Sequence, residues 1–443
     1  MSQEKVVPRI PRGMRDMLPQ TMIRREFVIK VVRRVFEEFG FEPLQTPAVE
    51  LEETLMGKYG PDAEKLIYKA SHRGGRQRLA LRYDLSVPLS RVIAQYPDLT
   101  KPFKRYQIAP VWRAERPQKG RYREHYQCDV DTVGAASMLA DAEILNIIYE
   151  VLTRLGFDKF VVNLNDRKLL NGIGQYAGVP KEQLGGIYRS IDKLSKIGLR
   201  GVESELQSNN IPRDTISGLL NLLQIEGNNQ EILTQLEIML GDYAEALEGI
   251  TELREILKHL QALGIQQRYY QVVPSMVRGL EYYTGPIYET MVEEPAIGSI
   301  TGGGRFDELV GMFMEHSYPA TGTTIGLERI IDVMEELNMF PPEITTTVSQ
   351  VLVTQFSADM IAESLKVARD LRQGGLNTEL YFQNDPLGDQ FRYALKKGIS
   401  YVVILGPDEF ATEQVTVRNL PLEKQRTVKR SEAVDLIKQW TTG

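Results

Sequence analysis

"RAERPQKGRYREHYQ", residues 113–127, sets five cations (Arg113, Arg116, Lys119, Arg121 and Arg123) within eleven positions of a chain whose formal net charge is −6. The strand-type run "KRYQIAPVWR" leads into it, "AERPQKGRY" is turn-rich, and "REHYQCDVD" is strand-type again, so the stretch reads as a β-hairpin. Alternation along the return strand puts Arg123, His125, Gln127, Asp129 and Asp131 on one face. The other face, Tyr122, Glu124, Tyr126, Cys128 and Val130, is largely apolar and suited to packing against helices. The polar face would then floor a cleft. Gln127 and Asp131 stand about 13 Å apart along a strand, and side chains leaning inward span an amino-acid-sized ligand. Arg113, at the end of the partner strand, is placed to set a guanidinium over a phosphate. A solvated edge hairpin with surface charges fits the same composition.

Outward from the hairpin, residues 21–40 read as an amphipathic helix stopped by Gly40, followed by an extended segment, "FEPLQTPAVEL". Between 65 and 135, β-type runs separated by turns predict an antiparallel sheet. A helix is expected from about 136 to 157. After "FVVNLN" the chain reads as mostly helical to about 266, and strand patterns resume at "RYYQVVPSMVRGLEYYTGPIYETMV". Past the Pro-rich "MFPPEITTTVSQ" the order becomes strand, helix, strand, helix, strand, which implies a mainly parallel sheet. The expected organisation is an α+β domain from 1–164 and 267–338, its antiparallel sheet flanked by helices. A helical insertion (165–266), a linker (339–349) and a C-terminal α/β domain (350–443) complete it.

Composition narrows the function classes. At 443 residues two or three domains are expected. The single Cys128 excludes intrachain disulfides and Cys-rich zinc sites, and the four scattered histidines match no metal-ligand spacing, so no tightly bound metal is expected. The opening "MSQEKVVPRI" lacks a secretory h-region and no apolar run is long enough to span a membrane, which points to a cytoplasmic protein without membrane partners. The net acidity does not argue against a phosphate partner, because screening confines a local patch to about 10 Å.

Four other stretches concentrate polar chemistry. "LRYDLSVPLSR" (81–91) places Asp84 and Ser86 two apart, on one face of a strand, with Ser86 alternatively the N-cap of a helix entered at Pro88. "RGLEYYTG" (278–285) sets Arg278 before Tyr282 and Tyr283, a pattern equally suited to surface stacking. "GGGRFDEL" (302–309) permits close backbone approach but is neither a P-loop nor a dinucleotide fingerprint. "GTTIGLERI" carries Gly326, Glu328 and Arg329 at a strand-to-helix turn.

Taken in order, these segments resemble the class II aminoacyl-tRNA synthetases, and among them the histidyl-tRNA synthetase family. "GFEPLQTPAVE" is similar to motif 1, "VWRAERPQKGRYREHYQCDVD" to motif 2 and "GTTIGLERI" to motif 3, while "RGLEYYTG" and "TGGGRFDELVGMF" are distinctive of the histidyl family. The resemblance covers nearly the whole chain, with 350–443 in the place of the anticodon-binding domain. It implies that Asp84 and Ser86 hold the substrate amino group together with Gln127, and that Leu85 between them also lines the histidine site. Asp131, Tyr282 and Tyr283 would face the imidazole. Arg113 and Arg278 would act on the α-phosphate as catalytic residues that also touch histidine, and Arg121 and Arg329 would complete the ATP site. Arg116, Gln118 and Arg123 are expected toward the tRNA acceptor end. Many bacterial members carry glutamate at the positions of Asp84 and Asp131, so "RYDLS" and "YQCDVD" look more like the archaeal and eukaryotic branch.

The activity implied is ATP-dependent attachment of L-histidine to tRNA(His) through a histidyl-adenylate, with Mg²⁺ arriving on ATP. Bringing two anions together calls for fixed guanidinium groups more than for a base. Polar complementarity to the imidazole discriminates by about 10⁴ without an editing domain. Motif 1 implies a homodimer, and phosphate contacts imply tRNA affinity that falls as salt rises. The alternative is a histidine-sensing regulatory subunit of ATP phosphoribosyltransferase. Such paralogues lack the last domain and key arginines, and this chain keeps both.

Overall fold

A computed structural model describes residues 6–57, 59, 64–118, 120–180, 184–191, 193–209, 211–277, 282–344 and 346–442. The chain divides into two compact units, Met1–Asp16 with Val28–Met339, and Met17–Phe27 with Phe340–Gly443.

The first unit is built on an eight-stranded sheet. Its strands, in chain order, are β1 (Glu42–Pro43), β5 (Phe103–Trp112), β6 (Glu124–Val133), β7 (Phe160–Asp166), β8 (Tyr270–Val272), β9 (Pro286–Val292), β10 (Thr301–Arg305) and β11 (Ala320–Gly326). Their spatial order is β1-β5-β6-β11-β10-β9-β7-β8, antiparallel at every pairing except β1 with β5 and β7 with β8. A small antiparallel sheet of β2 (Val49–Leu51), β3 (Lys69–Ala70) and β4 (Leu79–Leu81) lies beside it in sequence. The expected hairpin is present as β5 and β6, and its period-two pattern is kept. Cys128 and Val130 are fully buried on one face. The helices Met138–Arg154 and Leu327–Glu336 pack on this part of the sheet. Ser137 caps the first of them, its side chain accepting from the Leu139 amide.

Helices run from Arg167 to Ala262 between β7 and β8, as the composition of that stretch suggests. The Asp84 segment departs from expectation. β4 ends at Leu81, so Asp84 and Ser86 are not on a strand. The helix Ser86–Gln95 begins at Ser86 itself, and Asp84 Oδ1 accepts from the Val87 amide at 3.1 Å. Asp84, not Ser86, therefore satisfies the helix N-terminus.

The second unit carries a five-stranded sheet, β13 (Thr378–Leu380), β12 (Val351–Val353), β14 (Tyr401–Ile404), β15 (Gln414–Asn419) and β16 (Lys424–Lys429), in that order. β13, β12 and β14 are parallel, as the strand–helix alternation implies. β15 and β16 add an antiparallel hairpin, so the sheet as a whole is mixed and not mainly parallel.

Candidate active site

The site is assembled on the polar face of β5, β6 and β11. Register places Gln127 between Ala109 and Gly326, Asp129 between Gln107 and Thr324, and Asp131 between Arg105 and Gly322. β11 sets small residues across from the acids, Gly322 opposite Asp131 and Thr324 opposite Asp129. A Cβ on Gly322 would stand 2.1 Å from Asp131 Oδ1, so only glycine admits that carboxylate here. The glycines of β10 do similar work. A Cβ at Gly303 would meet the Gly322 carbonyl at 2.2 Å, and one at Gly304 would meet Tyr283 at 2.9 Å. The "TGGG" run thus allows close strand and ring packing.

The segment 82–86 runs against this sheet. Buried Arg82 donates to the carbonyls of Pro110 (2.9 Å) and Thr46 (2.8 Å), and the Trp112 amide donates to the Arg82 carbonyl. Asp84 is brought inside, where Tyr59 donates to its Oδ1 at 3.0 Å. Leu85 packs its side chain with Ala109 and Val111, so toward a ligand it presents only main chain. Tyr282 joins the same core as Tyr59, Tyr83 and Phe306. Its hydroxyl is in hydrogen-bonding reach of Ser86, and its ring stands 5.0 Å from that of Tyr283.

This pocket is unusually polar for its burial. Asp84 Oδ2, Gln127 Oε1, Asp129 Oδ1 and two nitrogens of Arg105 are buried without a protein hydrogen-bond partner. Burial raises the pKa of Asp84. Asp129 is pushed up to about 7 by burial and then by the charge of Asp131. Asp131 is pushed up to about 6 by burial, with Arg105 opposing the shift. Such a set suits a ligand bearing several N–H donors or a positive charge.

At the looped end of the hairpin lie the cations. Arg113 Nε donates to the Tyr83 carbonyl at 3.1 Å, and its guanidinium sits 4.4 Å over the Tyr83 ring. Arg121 pairs with Glu115 at 2.8 Å. Arg329, in the first turn of Leu327–Glu336, donates to the carbonyls of Gly120 and Ser299. Its pKa is lowered by burial and then by the like charge of Arg121, with Arg113 adding to the effect and Glu115 opposing it. The neighbouring His125 is pushed down to about 3 by burial and by Arg113, so it is neutral at pH 7. Arg329, largely desolvated, thus lies within electrostatic reach of both Arg121 and Arg113, a cluster suited to an anionic ligand.

The loop residues part company. Arg116 and Gln118 are exposed, and Gln118 faces Pro295–Gly298 across a cavity of about 390 Å³. Arg123 is committed to bracing, donating to the carbonyls of Glu115 (3.0 Å) and Arg12 (3.3 Å). Arg278 lies outside the described residues. Sequence reasoning passed over Arg105, Tyr59 and Tyr83. Arg105 was detectable as a charge at a strand position facing Asp131, whereas nothing local to Tyr59 marks it. Among the described residues, no group of His, Cys, Asp and Glu is arranged to hold a metal ion.

Comparison with known proteins shows the family. The family model described as histidyl-tRNA synthetase matches residues 13–330, and that of the anticodon binding domain matches 350–440. A histidine–tRNA ligase of Aeropyrum pernix is 42% identical over 438 residues, covering 98% of each chain. One of Gloeobacter violaceus is 39% identical over 456 residues, covering 96% of this chain and 97% of its own. The crystal structure of histidyl-tRNA synthetase from Nostoc sp. PCC 7120 matches with a TM-score of 0.87 at 33% identity, over 98% of this chain and 100% of that one. With a family match across the sheet-bearing region and full-length relatives on either side of 40% identity, the chain belongs to the histidyl-tRNA synthetase family of class II aminoacyl-tRNA synthetases and carries its anticodon-binding domain.

Proposed function

We propose that the chain joins L-histidine to tRNA(His) in two steps at the site on β5, β6 and β11. The histidine carboxylate attacks the α-phosphorus of ATP, forming histidyl-adenylate and releasing pyrophosphate. A hydroxyl of the tRNA 3′-terminal adenosine then attacks the histidyl carbonyl and AMP leaves. Asp84, Ser86 and Gln127 receive the α-ammonium group, and Asp131 with Tyr282 and Tyr283 faces the imidazole. Arg113 stabilises charge on the α-phosphate, and Arg121 and Arg329 hold the outer phosphates. Arg278 shares the α-phosphate with Arg113, a role carried by the sequence motif alone. Mg²⁺ accompanies ATP as part of the substrate, held by phosphate oxygens and water.

The observation carrying this reading is the clustering of Arg113, Arg121 and Arg329 beside a buried acidic pocket. Arg116 and Gln118, exposed at the hairpin tip, face the acceptor end of the tRNA, and 350–443 reads the anticodon as splayed single-stranded bases. The helical segment 165–266 is an insertion that leans on the acceptor arm. The protein works as a homodimer in the cytoplasm, and sedimentation showing only an active monomer would count against the dimer.

The deciding experiment is histidine-dependent exchange of labelled pyrophosphate into ATP. Wild type is expected to exchange with histidine, and Arg113→Ala or Arg278→Ala to lose about 10² to 10³ of that rate. Exchange supported by another amino acid but not by histidine would overturn the assignment.

A further inference from the structure

We propose that Arg105 is a positioning residue for histidine, a single buried guanidinium that ties the Asp84–Ser86 segment to Asp131 and so sets the distance between the two ends of the amino-acid cradle. The inference rests on the function proposed above and deepens it.

Arg105 belongs to β5, sits opposite Asp131 in register, and is 0% exposed. Its Nη2 lies 2.9 Å from Asp131 Oδ2 and also donates to the Leu85 carbonyl at 3.0 Å. Leu85 is the residue between Asp84 and Ser86, and its side chain is itself locked against Ala109 and Val111. The peptide that presents the amino-group ligands is therefore held to the sheet twice, once by packing and once by this guanidinium. The remaining nitrogens, Nε and Nη1, have no protein partner. Leaving donors of a buried charge unpaired is costly, yet removing the guanidinium alone would strand the buried Asp131 carboxylate. The two contacts that Nη2 does make fix the Leu85 peptide against Asp131, which is a role in geometry.

The charges around Asp131 support the same role. Asp129 lies on its own strand, Asp84 on the segment before the helix, and Arg105 on β5, while β11 sets the uncharged Gly322 and Thr324 opposite Asp131 and Asp129. Arg105 is the cation that acts on Asp131, lowering its pKa against the effect of burial, while Asp84 feels both Arg113 and Arg105. Both contacts come from Nη2, whose place is fixed by the rigid guanidinium plane, and a lysine would keep the charge on a flexible stem without that plane.

The test uses the full-length chain as wild type, Arg105→Lys and Arg105→Met in histidine-dependent pyrophosphate exchange. The histidine KM is expected to rise by about tenfold to a hundredfold in both variants, as misplacement by about an ångström does. The ATP KM should stay within about twofold of wild type. In Arg105→Met the acid limb of kcat/KM for histidine should also move up by about one pH unit, because Asp131 loses the cation that favours its ionised form. A merely structural arginine would lower the active fraction, and hence apparent kcat, with both KM values unchanged. Histidine KM within about twofold of wild type in Arg105→Lys, or a parallel rise in ATP KM, overturns the proposal. If Arg105→Met does not fold, Arg105→Lys alone decides. Absence of exchange by wild type would defeat the functional reading itself, an outcome distinct from normal exchange with unaltered variants.

Discussion

Replacing Gly322 by alanine tests the proposed placement of Asp131 against the imidazole. Gly322 lies directly across from Asp131, and an added Cβ would stand 2.1 Å from Oδ1, 2.6 Å from Cγ and 2.7 Å from the Val130 carbonyl. To recover even a tight contact of 3.0 Å, the carboxylate has to retreat by about 0.9 Å. It has little room for that, because Arg105 is already 2.9 Å from its other oxygen. A displacement of about 1 Å in a positioning group costs about 10² in rate, or roughly 2.7 kcal/mol of transition-state stabilisation. The Val130 carbonyl belongs to the β-ladder, so an overpacking penalty of about 1–3 kcal/mol in stability is expected as well. Pyrophosphate exchange separates the two effects. The kcat/KM for histidine should fall by about a hundredfold while the ATP KM stays within about threefold. A Gly322→Ala protein that is folded and binds histidine within about threefold of wild type would refute the placement of Asp131 as the imidazole ligand.

Ionising a buried acid whose folded pKa is raised removes stability as pH climbs from the unfolded value, about 4. Asp129, pushed up to about 7, should therefore make the first unit less stable at pH 8 than at pH 5, and Asp129→Asn should flatten that part of a denaturation-versus-pH curve. An unchanged slope would mean that Asp129 is not the group responsible. Arg305, 2% exposed, pairs with fully buried Asp141 and donates to the Ala135 carbonyl at 3.0 Å. Arg305→Ala should cost about 3–5 kcal/mol by leaving that carboxylate unpaired, and adding Asp141→Ala should recover part of the loss in urea denaturation.

Much of the fold was legible because its signals are local. Period-two alternation on "REHYQCDVD" specified which face of β6 is apolar, and burial of Cys128 and Val130 follows it. The change to strand–helix alternation after "MFPPEITTTVSQ" marked the last sheet, and the antiparallel hairpin of β15 and β16 escaped because its pairing adds no new period. The Asp84 segment was misread as strand because "LRYDLS" alternates like one. What bends it is Arg82, which holds it to carbonyls of Pro110 and Thr46 far away in sequence.

By itself the sequence determined which chemistry is present: guanidinium groups in quantity on one hairpin, acids on one strand face, and motifs in an order shared with one family. Only the tertiary structure decided which of those charges act together. It separated Arg113, Arg121 and Arg329, which share one electrostatic neighbourhood, from Arg123, which braces its own loop. It also revealed Arg105 as the cation beside Asp131. The physical reason is that electrostatic influence falls with distance in space and depends on burial, and neither quantity is written in the order of residues.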